Sequence, residues 1–169
     1  MNIMQKIDVE KITLNICVGQ PGDNLDKSIK LLSKITSCKP IQTKAKKRIP
    51  TWSIRPGLAI GCKVTLRGQK AKDLLKRLLI SRDNKLSEKN FDNQGNLSFG
   101  ITEYIDIPGV EYDASIGIIG FEVAITLKRP GFRIKDRKIK SKSISRKHKI
   151  SKQEAIDYMK NEFKINIGG

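Results

Sequence analysis

The sequence is short of acidic residues, histidine, cysteine and long apolar runs, and each shortage excludes a class of protein. Its 169 residues include 17 Asp and Glu against 34 Lys and Arg, which gives a net charge of +17. No run approaches about 18 consecutive apolar residues, the length of a membrane-spanning helix, and the first ten residues carry acids where a signal peptide needs an apolar stretch. We therefore expect neither a membrane-spanning nor a secreted protein.

Metal-ligating residues are equally few. The three cysteines, Cys17, Cys38 and Cys62, match neither a disulfide framework nor a pair of zinc ligands. We expect three packing thiols in a reducing compartment, with no metal and no cofactor. His148 is the single histidine and stands in a basic run, which favours a solvated or phosphate-near side chain over a metal ligand.

The positive charge is concentrated in two segments. Residues 39–72 contain 10 basic side chains and no acid, and residues 128–149 contain 11 basic side chains and one acid. Segments of this kind repel themselves unless a polyanion neutralises them. Nucleic acid is the favoured partner; an anionic membrane is the weaker alternative, because residues 128–149 hold Pro130, Gly131 and three serines rather than an amphipathic helix.

Hydrophobic periodicity predicts an α+β fold. Strands are expected at 11–18, 41–45, 60–67, 97–105 and 120–127, and helices at about 23–37, 69–80 and from a Ser151–Glu154 capping box onwards. Asp23 or Asn24 is expected to cap the first helix, and residues 82–95 are expected to be a polar connection. We predict one domain over residues 1–169: two layers, a mainly antiparallel sheet with helices on one face, and basic loops at about 44–58 and 128–149.

Alternation leaves one sheet face polar. The side chains opposite the apolar positions of the first and third strands are Lys11, Thr13, Asn15, Lys63, Thr65 and Arg67. Lys and Arg neutralise phosphates, and Thr and Asn can hydrogen-bond to a 2′-hydroxyl or a base edge. An ordinary solvated sheet face would present a similar pattern, so it is the concentration of positive charge in residues 39–72 and 128–149 that favours RNA.

Three ordered blocks carry a family resemblance that extends from about residue 5 to 166. VEKITLNICVG at 9–19, the basic block at 39–68 and FDNQGNLSFGITE at 91–103 resemble the universal large-subunit ribosomal protein five family. YDASIGIIGFEV at 112–123, RPGF at 129–132 and KHKISKQEA at 147–155 are similar to its archaeal and eukaryotic branch. Ser37 and Cys38 stand where relatives commonly have Gly-Gln, so a contact made by that glutamine does not carry over.

The resemblance implies a non-catalytic constituent of the cytoplasmic ribosome. Its expected partners are 5S rRNA, adjacent large-subunit rRNA, P-site tRNA and neighbouring ribosomal proteins, including the small-subunit head, with no membrane. The candidate rRNA-binding side chains are Lys11, Thr13, Asn15, Lys44, Lys46, Lys47, Arg48, Lys63, Thr65, Arg67, Arg133, Arg137, Lys138 and Lys147. The candidate tRNA-proximal loop consists of Thr51, Trp52, Ser53, Ile54, Arg55, Pro56 and Gly57.

Two alternatives remain open. Trp52 is either a small core anchor beneath its loop or a stacking platform for a nucleotide. The basic surface could also serve an RNA-modifying or RNA-processing enzyme, but the sequence shows no cofactor loop, metal cluster or paired general acid and base. The carboxylates of Asp106, Glu111 and Asp113 cluster only in sequence, and surface balance or protein contact explains them better than catalysis.

Overall fold

The computed structural model describes residues 2–168 and has an α+β architecture. Eleven strands and α-helices follow one another along the chain: β1 Asp8–Cys17, α1 Asp23–Thr36, β2 Ile41–Lys44, β3 Ala59–Leu66, α2 Gln69–Ile80, β4 Lys85–Ser87, β5 Leu97–Ile101, β6 Phe121–Lys128, α3 Arg133–Asp136, α4 Lys152–Phe163 and β7 Asn166–Gly168. Five strands form an antiparallel sheet in the order β2-β3-β1-β6-β5, which confirms the predicted fold class.

The chain packs into two compact units. Unit 1 holds the described residues up to Ile12, the range Arg67–Ser98 and the described residues from Ile125 onwards. Unit 2 holds Thr13–Leu66 and Phe99–Ala124. Both units are discontinuous in sequence, because β1 and β6 each contribute residues to both.

In unit 2, alternation forms the strands as expected. Leu14 and Ile16 of β1 are buried, as are Val64 and Leu66 of β3. β2 pairs antiparallel with β3, and the register shifts at Thr43 and Lys44, where the basic loop begins. A short strand that ends in a register shift releases its chain into a loop instead of extending the sheet.

The first helix packs its apolar face against β3 and differs from expectation at its start. The i, i+4, i+7 spacing predicts burial of Leu25, Ile29, Leu32 and Ile35; three of them are buried and Ile29 is half-buried. The N-cap is Gly22, with φ 131°, and not Asp23 or Asn24, both of which lie inside the helix. Only glycine readily adopts that backbone conformation, so the Pro-Gly turn itself determines where the helix begins.

In unit 1, helices α2 and α4 match their predictions closely. α2 buries the expected stripe: Ala71, Leu74, Leu75, Leu78 and Leu79. The capping box of α4 is formed, because the Ser151 hydroxyl accepts from the Glu154 N–H and the Glu154 carboxylate accepts from the Ser151 N–H. Among the residues that the structure describes, no helix is long and apolar enough to cross a membrane.

Three segments differ from the predictions. The polar connection at 82–95 contains β4, which pairs in parallel with β7 near the end of the chain, and three-residue strands are too short to show a period. β5 ends at Ile101 instead of continuing to 105, because Tyr104 turns into the core of unit 2. The basic loop 128–149 contains the four-residue helix α3 and a helical turn at Arg146–His148.

Candidate nucleic-acid interface

A polar sheet face in unit 2 brings together four of the predicted side chains. Thr13 and Asn15 of β1 are half-buried, and Lys63 and Thr65 of β3 are exposed. The two threonine hydroxyls lie 3.4 Å apart across the strands. The neighbours of these four residues along β1 and β3 are buried. Since side chains alternate between the two faces of a strand, the four side chains lie on the face opposite the core. Two hydroxyls, one amide and one ammonium group are thereby held on a rigid surface.

The face also carries a carboxylate that the sequence reasoning omitted. Asn15 donates from Nδ2 to Glu122 Oε2 of β6 at 3.5 Å. Glu122 is exposed between the buried residues Phe121 and Val123, so the alternation of β6 could have found it. A negative charge beside Asn15 repels phosphate, which restricts where a nucleic-acid backbone can run on this face.

Lys11 and Arg67 lie on the portions of their chain that belong to unit 1. Lys11 is half-buried within β1, and Arg67 is exposed directly after β3. Neither has an ion-pair partner within residues 2–168. The Lys11 ammonium group and the Arg67 guanidinium group are therefore available to bind phosphate.

The end of β2 and the basic loop after it present four free cations on a backbone that is held by hydrogen bonds. Lys44, Lys46, Lys47 and Arg48 are all exposed, and no carboxylate in the described part of the chain pairs with them. Between them Ala45 is buried; its N–H donates to Leu58 O at 2.8 Å and its carbonyl accepts from Gly57 N at 2.9 Å. The loop therefore displays its charges without having to order first.

The candidate tRNA-proximal loop is a small closed turn. Pro50–Trp52 form one turn of 3₁₀ helix, and Ile49 and Ile54 exchange backbone hydrogen bonds of 2.9 and 3.1 Å. Ile54 is buried, whereas Thr51, Ser53, Arg55, Pro56 and Gly57 are exposed. Ile54 is therefore the loop's anchor, and its side chain is not part of a contact surface.

Trp52 is 66% exposed, so the interpretation of Trp52 as a core anchor is wrong. The indole of Trp52 lies in solvent on a loop that is closed by hydrogen bonds, where it can stack on a base or pack against a protein. The side chain that fills the core beneath the loop is Ile54 instead.

The second basic segment, 128–149, lies in unit 1. Arg133, Arg137, Lys138 and Lys147 are exposed there, and Arg137 donates from Nε to Lys140 O at 2.8 Å. Arg129 differs from its neighbours, because it is buried and pairs with Glu154 of α4. One cation of this segment is therefore structural, and most of the rest remain free.

An acidic stretch of unit 2 contrasts with these surfaces. Residues 99–120 contain four acids and no Lys or Arg. Asp113 Oδ2 lies 3.7 Å from Lys34 Nζ. Hydrogen bonds from Ser115, and to a lesser extent the charge of Lys34, lower the pKa of the Asp113 carboxyl. Tyr112 and Ile118 are exposed in the same stretch. Such a surface is unsuited to RNA and suited to a protein.

The thiols and the histidine take no part in a metal site. Within residues 2–168 no group of His, Cys, Asp and Glu is placed to hold a metal ion. Cys62 is buried, and burial raises the pKa of its thiol to about 11, so it packs as an apolar side chain. Cys17 is exposed, which contradicts the expected packing role. His148 Nε2 lies 2.8 Å from Pro130 O and its ring meets Phe132 edge-on, so it stabilises the local fold.

The protein is basic, has an α+β fold with a polar sheet face, and carries unpaired cations on loops that are held by hydrogen bonds. These features are typical of an RNA-binding protein. Two family models match the chain: that of ribosomal protein L5 over residues 2–55, and that of the C-terminal part of the same ribosomal family over residues 59–158. Together they account for nearly the whole sequence.

Curated relatives agree with the family models. "Large ribosomal subunit protein uL5" of Nanoarchaeum equitans is 48% identical over 97% of this chain and 97% of its own length. The protein of the same name from Sulfolobus acidocaldarius is 46% identical over 98% of this chain and 93% of its own length. That from Methanosphaera stadtmanae is 42% identical over 99% of both chains.

The chain belongs to the ribosomal protein L5 family, and its relatives named here are archaeal. It is a structural protein of the large subunit of the cytoplasmic ribosome and not an enzyme, so the RNA-modifying alternative is wrong. Ribosomal RNA and other ribosomal proteins are its partners.

Proposed function

We propose that the chain binds 5S rRNA and the adjacent large-subunit rRNA through the polar sheet face and the two basic segments. The observation that carries this is the sheet face itself: Thr13, Asn15, Lys63 and Thr65 stand on paired strands, and residues 39–72, which include β3, hold ten basic side chains and no acid. Flat faces with hydroxyl and amide groups suit RNA, whose major groove is too narrow to enter. The unpaired cations supply the affinity.

A titration against 5S rRNA over a range of salt concentrations tests this function. If roughly 6 to 10 phosphates are neutralised, the logarithm of the affinity should fall with the logarithm of salt at a slope of about −5 to −9. Anionic vesicles at matched salt are the comparison, and they should bind more weakly. A slope near −1, or stronger binding to vesicles, contradicts the proposal.

The loop Ile49–Ile54 and the residues up to Gly57 are proposed to approach the P-site tRNA. This part of the proposal rests on the family resemblance, on the exposed Trp52 and on Arg55, which has no ion-pair partner in the described chain. A turn closed by two backbone hydrogen bonds meets a tRNA backbone with little ordering of its own. The same loop does not contribute to the sheet face.

The acidic stretch at 99–120 is proposed to face a protein in the small-subunit head. The four acids of residues 99–120, of which Asp113 alone has an ion-pair partner in the described chain, repel rRNA, and the exposed Tyr112 and Ile118 provide apolar contact area. Ribosomal proteins that bind rRNA carry basic surfaces, so charge complementarity favours such a partner.

A further inference from the structure

A cavity of about 310 Å³ in unit 1 lies between the basic segment 128–149, β6 and the Gln94–Asn96 turn. Apolar side chains, amides, hydroxyls and two lysines line it. No carboxylate lines it. The volume lies at the lower end of the range for small-molecule sites, which suits one nucleotide rather than a helix or a peptide.

The amide part of the wall is built on a rigid turn. Asp92 Oδ1 accepts from Gln94 N at 2.8 Å and from Asn96 N at 2.7 Å, and Asp92 Oδ2 accepts from Asn96 Nδ2 at 2.8 Å. At Gly95, with φ 77°, a Cβ would collide with the Ile150 side chain. Glycine is thus required, and it allows the turn to sit directly on the buried Ile150.

This arrangement leaves hydrogen-bonding groups for a ligand. The side-chain amide of Gln94 has no hydrogen-bond partner within residues 2–168, and Asn96 Oδ1 is also free because only the Nδ2 of that amide is engaged. Thr126 and Ser143 add hydroxyls to the same wall. Amide and hydroxyl groups can read the edge of a base, which offers donors and acceptors in a plane.

Two lysines in the lining, Lys135 and Lys149, suit the phosphate group of a nucleotide. Phe132 is buried, and Lys135 Nζ lies 5.3 Å above its ring centre. The backbone of Lys135 is held by the Ser141 hydroxyl, and that of Lys149 by Arg129 Nη1 at 3.2 Å. Two ammonium groups on anchored backbones are suited to holding a phosphate.

We propose that this cavity binds one unpaired nucleotide of ribosomal RNA, with its base against the Gln94–Asn96 turn and its phosphate between Lys135 and Lys149. The inference rests on the proposed rRNA-binding function and adds a specific site to it. RNA rather than a protein segment is the occupant, because the lining has two cations and no acid and the surrounding segment 128–149 is strongly basic. Unpaired nucleotides in loops and bulges are those that proteins can take out of the stack.

Two variants test the cavity without altering any charge. Ser143→Trp fills it, and Gln94→Ala removes the free amide. Each has a matched control nearby that does not line the cavity: Ser145→Trp and Asn93→Ala. Circular dichroism of all four proteins checks that the fold is retained. If Ser143→Trp unfolds, Gln94→Ala and its control still decide the question.

The measurement is the affinity of each protein for 5S rRNA and, separately, for large-subunit rRNA at one fixed salt concentration. Ser143→Trp should weaken binding about tenfold or more and Gln94→Ala about three- to tenfold, with both controls close to the unmodified protein. The RNA on which the loss occurs is the source of the nucleotide. Equal affinities for variants and controls, while the unmodified protein binds, overturn this site alone. Failure of the unmodified protein to bind either RNA overturns the proposed function and this site with it.

Discussion

Arg129 Nη2 donates to Glu154 Oε1 over 2.7 Å, which joins the end of β6 to the capping box of α4. The Arg129 side chain is 7% exposed, and its Nη1 also donates to Lys149 O. Its Nε has no hydrogen-bond partner in the described residues. Since a buried guanidinium must be paired, Glu154 is the residue that makes this burial possible. One carboxylate therefore both begins a helix and fixes the start of the second basic segment.

Removal of the Glu154 charge should destabilise the protein. Glu154→Gln keeps an acceptor for the Ser151 N–H but leaves Arg129 without an anion, and we expect a loss of about 1–3 kcal/mol in the free energy of unfolding. Glu154→Ala also removes the acceptor for the Ser151 N–H, which is half of the capping box, and should lose about 3–5 kcal/mol. Urea unfolding gives both values. Glu162→Gln, on the exposed surface of the same helix, is the control and should stay within about 0.5 kcal/mol.

The Glu154 contribution should also depend on pH. The Ser151 N–H, and with it Arg129, lowers the pKa of Glu154 below its ordinary 4.5 in the folded protein. A carboxyl with a lowered folded pKa contributes its stabilisation fully above the unfolded pKa and loses it as pH falls through the folded one. The difference in unfolding free energy between the unmodified protein and Glu154→Gln should be constant above about pH 5 and shrink below it. A difference that grows on acidification would contradict the assigned pairing.

The sheet face should determine specificity, and the loop lysines affinity. Asn15→Ala or Thr65→Ala should weaken binding of 5S rRNA by about 1–3 kcal/mol and leave binding of a random RNA nearly unchanged. Lys46→Ala, which removes an exposed unpaired cation, should weaken both alike. Competition titrations with the two RNAs measure the difference. Equal losses on both RNAs for Asn15→Ala would give that side chain a structural role through Glu122.

The loop at 49–57 should separate tRNA contact from rRNA anchoring. Trp52→Ala removes an exposed indole and should leave both stability and 5S affinity within about 0.5 kcal/mol. It should reduce P-site tRNA retention by reconstituted ribosomes, measured by filter binding. Ile54→Ala is the structural comparison: Ile54 is buried, so this variant should lose about 2–4 kcal/mol of stability. Lost 5S affinity with normal tRNA retention for Trp52→Ala would assign the loop to rRNA.

The sequence by itself determined the elements whose signal is local. The stripe of α2, the capping box of α4 and the alternation in β1, β3 and β6 match the structure, because burial of one helix or strand face requires a fixed spacing of apolar residues. The positive charge of residues 39–72 and 128–149, together with the three sequence blocks that carry the family resemblance, was sufficient to indicate a ribosomal RNA partner. The sequence also placed Thr13, Asn15, Lys63 and Thr65 on one face, since period two leaves no other choice.

The tertiary structure decided what depends on residues far apart in the chain. β4 and β7 pair although α4 and three other elements separate them in sequence, and neither strand is long enough to show a period of its own. Pairing with Glu154 separates the buried Arg129 from the exposed cations around it, and Glu122 comes to Asn15 only through the pairing of β6 with β1. The Gln94–Asn96 turn meets Phe132 and Lys149 in one cavity only once the chain has folded. Composition counts charges, but burial and pairing determine which of them remain free for RNA, because both depend on three-dimensional neighbours.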